Sequence, residues 1–350
     1  MGNFSYRNST INNFYNIYTY IGVTLFSVIG FISNAFIFVV IFKKKRSQQP
    51  LNCLIANLAL SDMVHSVVIV LKFVFPAITS SSSSKSFNIS LSLTNGICNV
   101  ITFIGVTVFS NSMSTLAAIS IERCRAVVNP LRLSYNQKRM SFIFIFIWIT
   151  ALIAAMIFII SLEYVEIGFM DCTGTFSVMG SVSFSITLIM FGVIVFVIPI
   201  SIIGVSYLTI IVILCRKNIP VDESEYKLKI KKAEQSKAKS IAILLIVTLL
   251  VAFSSIPSGA LYIWISLQKA YDQSILVKLP TIFWIFFQSS TILVLIPTIF
   301  NPILYCYASA SFKKEIKAVF RNFKVHLSNY SVTHQSRKCE STKNCKIPSL

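Results

Sequence analysis

The chain has 350 residues, of which 55% are hydrophobic and only 12% are charged, about half the charged fraction of a typical soluble domain. Its formal net charge of +19 lies in short clusters between long apolar runs, which argues against a nucleic-acid-binding surface. The eight cysteines and three histidines show no metal-like spacing, so we expect neither a metal centre nor a cofactor.

Seven apolar runs follow one another along the chain, and each is long enough to cross about 30 Å of hydrocarbon as a helix. Backbone groups in lipid must form hydrogen bonds within their own segment, so helices are the predicted structure. The runs cover residues 21–42, 53–78, 97–126, 142–162, 182–214, 241–267 and 279–308. The predicted fold class is therefore an all-α membrane protein, a seven-transmembrane helix bundle.

Basic residues set the predicted orientation, because Lys and Arg concentrate on the cytoplasmic side of membrane proteins. With the N-terminus outside, 26 of the 31 Lys and Arg residues are cytoplasmic or lie at that boundary. The glycosylation sequons at Asn3, Asn8 and Asn88 then all fall on the outer side. We predict a multi-pass protein of the plasma membrane with an extracellular, glycosylated N-terminus at residues 1–20 and a seven-helix domain at 21–310.

A short amphipathic segment follows the seventh run. Apolar residues recur there at helical spacing, with lysines and an arginine between them, so residues 311–323 are predicted to form a helix on the inner membrane surface. Residues 324–350 are polar and are predicted to form a disordered cytoplasmic tail.

Several polar residues lie inside the apolar runs, where each one costs free energy unless it is paired or hydrated. Asp62 is in the second run, Ser112 in the third and Asn301 in the seventh. One interpretation is a buried site for a small cation, with Asp62 as its charge. The other is an interhelical hydrogen-bond network that fixes packing. The residues alone are compatible with both interpretations and favour the hydrogen-bond network.

The third run ends in Glu122 and Arg123 at the predicted cytoplasmic boundary. One interpretation is that these two side chains pair with each other and leave the guanidinium available to a partner. The other is ordinary snorkelling at a helix end, which is the commoner case. Cys98 heads the third run and Cys172 follows the fourth. Both lie on the oxidising side, where a disulfide would tether the loop over the bundle.

Taken in order, these residues resemble the rhodopsin-like (class A) family of G-protein-coupled receptors, over about residues 20–321. Pro257 matches the proline of the sixth helix of the family. The other matching positions are Asn34, the segment from Asn57 to Asp62, Glu122-Arg123-Cys124, Trp148, Pro199, Tyr207, and Asn301-Pro302-Ile303-Leu304-Tyr305. Their shared order across seven runs carries the resemblance.

The resemblance implies a receptor rather than an enzyme. An extracellular ligand would favour a form in which the sixth helix swings outward and a heterotrimeric G protein contacts Arg123, with Tyr207 and Tyr305 stabilising that form. It also implies a sodium site at Asp62, Ser112 and Asn301, and an arrestin-like partner for the phosphorylated tail.

Some positions depart from the family pattern. Ser255 stands where the family usually has a tryptophan, and Val251 where it usually has an aromatic residue. Lys237 replaces the acid that in many relatives holds the third-helix arginine. Two cations would repel each other there, so we predict raised basal activity.

The resemblance also limits the ligand. Gly105 stands where aminergic receptors have an acid, and Leu295 where opsins have their Schiff-base lysine. Lys72 is the candidate for binding an anionic group, with headgroup snorkelling as an equal alternative. The other predicted cavity residues are Gly105, Phe109, Tyr262, Gln288 and Thr291. Acidic residues in the loop after the fourth run suit a basic peptide, and a neuropeptide is the predicted ligand.

Two other classes of protein remain as alternatives. A membrane transporter often shows internal repeats and glycine-interrupted half-helices, and no duplicated segment is found here. A membrane enzyme would need a catalytic cluster at one depth, whereas His65 lies in the second run and the other two histidines lie in the tail.

Overall fold

In a computed structural model of the protein, the structure describes residues 2–43, 50–81, 91–129, 137–160, 162–163, 175–176 and 181–216. Further along it describes residues 242, 246, 249–251, 253–257, 260, 264, 289, 293, 295–301 and 321. The predicted tail at 324–350 and the rest of the predicted surface helix at 311–323 lie outside the described residues. Arg321, the described residue of that segment, is helical.

Long helices dominate the described part of the chain. They are α1 (Gly2–Lys43), α2 (Pro50–Ser81), α3 (Leu91–Val128), α4 (Gln137–Ile160), α5 (Ser181–Gly192) and α6 (Ile198–Arg216). Five stretches of them are long and apolar enough to cross a membrane: Tyr20–Phe42, Pro50–Lys72, Gly96–Val128, Lys138–Ile160 and Ile189–Ile213. These stretches confirm the first five predicted runs, and we call them the first to fifth spans.

The sixth and seventh runs are described in part. Every described residue from 242 to 264 and from 289 to 301 is helical. These positions agree with the predicted sixth and seventh spans, and the described residues from 295 to 301 supply buried side chains to the bundle.

A π-helical turn, Val193–Val197, joins α5 to α6 within the fifth span. The Ile198 N–H donates to the Val193 carbonyl, five residues earlier. Pro199 follows directly and has no N–H to donate, so the α-helical bonding pattern cannot continue unchanged through this turn. Pro199 was named from the sequence only as a position that matches the family, and the wider turn was not predicted.

Two short strands follow the fourth span. β1 (Leu162–Glu163) pairs antiparallel with β2 (Thr175–Phe176), and Leu162 lies opposite Phe176. The fourth run was predicted to extend to residue 162, but α4 ends at Ile160 and Leu162 belongs to β1. Hydrophobicity alone extended the predicted helix, because an apolar residue in a strand looks the same as one in a helix.

The third span is the centre of the bundle, since α3 packs against α2, α4 and α6, while α1 packs against α2. Apolar side chains such as Phe142 and Phe146 are more than half exposed on the outer surface. A membrane protein places such residues against lipid. Polar side chains are instead buried between the spans, which is where the candidate site lies.

Candidate functional site

Three spans bring polar side chains together at Asp62, which is 3% exposed. Its Oδ1 accepts a hydrogen bond from the Ser112 hydroxyl at 3.1 Å, and its Oδ2 accepts one from Asn301 Nδ2 at 2.9 Å. The second, third and seventh spans therefore meet here, and the three residues predicted to form one cluster do lie together.

The chemistry of this cluster suits a hard cation. Asp62 supplies the formal charge, and Ser112 supplies a hydroxyl oxygen beside it. Asn301 Oδ1 is buried and accepts no hydrogen bond from any described residue, so it is a carbonyl oxygen available as a ligand. Small hard cations bind to oxygen atoms of these kinds. The same contacts also link three helices, so the residues fit both interpretations drawn from the sequence.

A second contact joins the first span to the seventh. Asn34 Nδ2 donates to the Gly30 carbonyl at 2.9 Å and to the Thr298 carbonyl at 2.8 Å. Gly30 permits this approach, because an added Cβ would lie 3.1 Å from both Ser66 Oγ and Thr298 Oγ1. Asn34 was predicted from its motif alone. Gly30 and Thr298 were missed because neither belongs to that motif.

The position that carries the Schiff-base lysine in opsins is apolar and tightly packed here. Leu295 is fully buried and forms a small cluster with Val23 of the first span and Ile69 of the second. Charge at this point would have no polar surroundings within the cluster. The packing is therefore consistent with a chain that does not attach retinal at this residue.

A second polar network links the second, third and fourth spans. Asn57 Nδ2 donates to Asn111 Oδ1 at 2.7 Å and to Thr115 Oγ1 at 2.8 Å. Trp148 Nε1 donates to Asn57 Oδ1 at 3.2 Å, and Ser61 Oγ donates to Asn111 Oδ1 at 3.0 Å. Asn111 and Thr115 were not predicted. Their spacing of four residues on one face of α3 was the available signal.

At the predicted cytoplasmic end of the third span, the described residues show no ion pair between Glu122 and Arg123, which was one of the two interpretations of the sequence. The ion pair instead joins Glu122 Oε2 to Arg125 Nη1 at 3.9 Å. Residues three apart on a helix lie side by side, whereas adjacent residues point about 100° apart, which explains the choice of partner. Arg123 Nε is buried and makes no hydrogen bond to any described residue.

Tyr207 of α6 is 3% exposed and approaches the third span. Together with Met113 and Leu116 of α3 it lines an apolar groove, which also reaches Leu249 and Val251 of the sixth run. Val251 stands where the family usually has an aromatic residue. The described residues that line this space beside Tyr207 are uncharged.

In the half of the bundle predicted to face outward, Phe109 lies 5.8 Å from Phe196 and 6.1 Å from His65 between ring centroids. His65 and Phe196 were not predicted as site residues. Gly105 faces α2 closely, since an added Cβ would lie 2.9 Å from Val68 Cγ1. Glycine at this position therefore brings two spans together, and its role as a ligand contact stays a prediction.

The remaining predicted residues are only partly described. Lys72 lies within the second span and is partly exposed, and Pro257 is helical in the sixth run. Cys98 is disulfide-bonded and buried, but its predicted partner Cys172 lies outside the described residues, as do Asn88, Tyr262, Gln288, Thr291, Pro302, Tyr305 and Lys237. Asn3 and Asn8 lie on α1, where only the backbone is described.

Within the part of the chain that the structure describes, no three His, Cys, Asp or Glu side chains come together as ligands for a metal ion. Ser255, which stands where the family usually has tryptophan, is buried, and its hydroxyl makes no hydrogen bond to the residues that the structure describes. The neighbouring Ser254 hydroxyl donates to the Val251 carbonyl.

Comparisons with known proteins agree with this geometry. Residues 33–305 match the family described as 7 transmembrane receptor (rhodopsin family). The chain is 25% identical over 315 residues to the probable G-protein coupled receptor tkr-1 of Caenorhabditis elegans, covering 87% of this chain and 71% of that protein. It is 23% identical over 315 residues to the neuropeptide Y receptor type 6 of Oryctolagus cuniculus, covering 85% and 78%.

The fold is also that of a solved structure. The crystal structure of squid rhodopsin matches with a TM-score of 0.63 and 19% sequence identity, covering 87% of this chain and 86% of the rhodopsin chain. At this level of identity the likeness concerns the fold alone, and it supports the seven-helix architecture predicted from the apolar runs.

Proposed function

Because the chain belongs to the rhodopsin family of seven-transmembrane receptors, we propose that it binds an extracellular peptide at the plasma membrane and activates a heterotrimeric G protein. Its family makes it a multi-pass membrane receptor rather than an enzyme or a transporter. The proposed orientation, with the N-terminus outside, is supported by the 26 of 31 basic residues that it places on or near the cytoplasmic side.

One observation carries the proposed coupling. The Arg123 guanidinium lies at the inner end of the third span, and its Nε makes no hydrogen bond to a described residue. The nearest acid in the sequence, Glu122, is paired with Arg125 instead. An arginine side chain has N–H donors and no acceptor, so the one unmet Nε–H here favours a partner that presents a carbonyl oxygen. The G protein is the proposed partner.

The proposed mechanism separates a fixed part of the bundle from a moving part. Polar networks around Asp62 and Asn57 hold the first, second, third and seventh spans, with the fourth attached through Trp148. The sixth run is proposed to swing outward, with Pro257 as its bend and Tyr207 and Tyr305 stabilising the open form. A ligand shifts this equilibrium only by its different affinity for the two forms.

A peptide is proposed as the ligand for three reasons. The similarity to a neuropeptide Y receptor extends over most of both chains. Gly105 provides no acid for a monoamine, and Leu295 provides no amine for retinal. Lys72 would bind an anionic group of the peptide. Phe109, Tyr262, Gln288 and Thr291 are the other proposed contacts.

Two further parts of the proposal concern smaller partners and the tail. A sodium ion is proposed to bind at Asp62, Ser112 and Asn301, where the buried Asn301 Oδ1 supports it. An arrestin-like protein is proposed to bind the tail after phosphorylation of its serines and threonines. A disulfide between Cys98 and Cys172, and glycans at Asn3, Asn8 and Asn88, complete the proposed outer face.

Nucleotide exchange on a G protein tests the proposed function. The purified chain in lipid nanodiscs would be mixed with each class of heterotrimeric G protein, without ligand and then with pools of basic peptides. We expect one class to exchange nucleotide faster, and Arg123→Ala to reduce that acceleration by about tenfold or more. Arg139→Ala is the matched control, since Arg139 is an exposed arginine at the start of α4.

The expected result is normal exchange with Arg139→Ala and nearly none with Arg123→Ala at equal amounts of folded protein. Absence of exchange with every G-protein class and peptide pool would contradict the proposed coupling. Equal exchange by the native chain and Arg123→Ala would contradict the role given to this arginine.

A further inference from the structure

An apolar groove lies between the third and fifth spans and the described part of the sixth run. It has a volume of about 220 Å³ and is lined by Met113 and Leu116 of α3, Gly204, Tyr207 and Leu208 of α6, and Leu249 of the sixth run. This groove is separate from the Asp62 cluster and from the cavity residues proposed for the peptide. None of its described lining residues is charged.

The groove opens towards the outer surface of the bundle. Gly204, Leu208 and Leu249 are exposed, and Leu208 is 65% exposed although it is a large apolar residue. Gly204 and Leu208 lie within the fifth span, which is long and apolar enough to cross a membrane, and Leu249 belongs to the predicted sixth span. At this depth the surroundings are lipid hydrocarbon, so hydrocarbon is the material available to fill the space.

Gly204 provides the open side of the groove. A Cβ built on this glycine would meet no atom within 4 Å. An unfilled space of this kind costs dispersion contacts on all its walls, and water gains no hydrogen bond from apolar walls. A volume of about 220 Å³ is smaller than the roughly 300–1,000 Å³ of pockets for drug-sized molecules. It therefore suits a slender, flexible chain better than a rigid ring system.

We propose that this groove holds one acyl chain of a bilayer phospholipid, which packs against the Tyr207 ring and influences the balance between the two forms of the receptor. The occupant contacts the third span through Met113 and Leu116 and the sixth run through Leu249. It thus lies between the element proposed to stay fixed and the element proposed to move. Binding of the chain is independent of the proposed function, whereas its influence on signalling rests on that function.

The structure offers a matched pair of variants. Gly204→Leu places four carbon atoms in the open side of the groove. Gly192→Leu makes the same change in the same span, where an added Cβ also meets nothing within 4 Å but which does not line the groove. Both variants replace glycine in a helical segment with leucine, so their effects on helix formation are comparable.

The binding test uses a phosphatidylcholine that carries a photoreactive diazirine in its acyl chain. Native protein and both variants are irradiated in nanodiscs that contain this lipid, and adducts are located by peptide mass spectrometry. We expect adducts on the Leu208 and Leu249 peptides of the native chain and of Gly192→Leu. Gly204→Leu should lose them by about fivefold, which corresponds to about 1 kcal/mol. This modest size follows because lipid chains and leucine are equally apolar, so packing alone drives the association.

Several results would overturn the binding proposal. They are equal labelling of Gly204→Leu and native protein, a similar loss in Gly192→Leu, or labelling by a diazirine sterol where the phospholipid gives none. If Gly204→Leu does not fold, Gly204→Ala serves as the smaller filler and should show a partial loss of labelling; native labelling of Gly204→Ala would then overturn the proposal.

A second measurement tests the regulatory part. Basal nucleotide exchange is compared in nanodiscs of dioleoyl lipid and of diphytanoyl lipid, whose methyl branches make the chain too thick for a narrow groove. We expect exchange by the native chain and Gly192→Leu to differ between the two lipids, and exchange by Gly204→Leu to be the same in both. Lipid dependence retained by Gly204→Leu, despite lost labelling, would overturn regulation by the bound chain while leaving the G-protein proposal intact.

Discussion

The two sides of the third span are built from different interactions. On one side, the second span meets it through directional hydrogen bonds, including those of Asn57 with Asn111 and Thr115. On the other side, Ile203 and the Tyr207 ring of the fifth span line an apolar groove together with Met113 and Leu116 of the third. A hydrogen-bonded contact has one favourable arrangement, whereas an apolar contact can slide with little loss. The comparison indicates where the bundle is rigid and where it can move.

This difference matters more in lipid than in water. Hydrocarbon competes for apolar contacts but offers nothing to a broken hydrogen bond, so the polar side is held and the apolar side is adjustable. Arg123 and Tyr207 lie where the adjustable side approaches the predicted cytoplasmic boundary. A G protein that binds there would work against apolar packing rather than against the networks of Asp62 and Asn57.

The largest expected effect is loss of the polar network. Asn57→Leu removes two donated hydrogen bonds and the acceptor for Trp148. We therefore expect the free energy of unfolding to fall by about 2 kcal/mol. The measurement is the apparent unfolding temperature of purified protein in detergent. The control is Thr150→Val, since the Thr150 hydroxyl bonds, among the described residues, to carbonyls of its own helix at Phe146 and Ile147. Equal losses in the two variants would remove the distinction between the two sides.

The next effect concerns sodium. At sodium about tenfold above its dissociation constant, binding to the folded state raises stability by about 1.4 kcal/mol. We expect sodium chloride to raise the unfolding temperature of the native chain above that in choline chloride, and Asp62→Asn to abolish the difference. Ser66→Ala should retain it, because the Ser66 hydroxyl bonds to the Asp62 backbone carbonyl and not to its carboxylate. A native chain insensitive to sodium would refute the site.

Two glycines of the first span should respond to alanine with opposite signs. Gly30→Ala places a Cβ 3.1 Å from Ser66 Oγ and Thr298 Oγ1, and we expect the free energy of unfolding to fall by about 1 kcal/mol. Gly22→Ala meets nothing within 4 Å and should gain about 0.5 kcal/mol from its helix propensity. Thermal unfolding in detergent measures both. Changes of the same sign would show that the close approach around Gly30 does not limit packing.

The smallest effect tests the adjustable side directly. Lys237→Glu restores the acid found in many relatives. Its attraction to Arg123 should stabilise the closed form by a few tenths of a kcal/mol to about 1 kcal/mol, and basal nucleotide exchange should fall accordingly. Lys227→Glu makes the same charge change in the preceding loop and should leave exchange unchanged. Unaltered basal exchange in Lys237→Glu would remove the argument for raised basal activity.

Much of the fold could be predicted because lipid requires long apolar helices, and the sequence displays them directly. The convergence of Asp62, Ser112 and Asn301 could also be predicted, since their motifs occur in a shared order. The pairing of Glu122 with Arg125 was missed because adjacency in sequence was taken as adjacency on the helix. That error could have been avoided with helix geometry alone.

Other features could not be derived from the sequence. The groove beside Gly204 depends on how side chains of three spans fill space, and no periodicity reports such a volume. The partners of Asn111 depend on the rotation of α3 against α2. The π-helical turn before Pro199 is one of several responses to a proline, and the residues do not specify which one occurs.

The most direct test of the account is the position of the two chain ends relative to the membrane. Different epitope tags would be placed before Met1 and after Leu350, and antibody access compared in intact and permeabilised cells. An odd number of spans with basic residues inside predicts that the first tag is stained in intact cells and the second only after permeabilisation. Staining of both tags under the same condition would contradict the bundle, its orientation and the receptor function proposed from it.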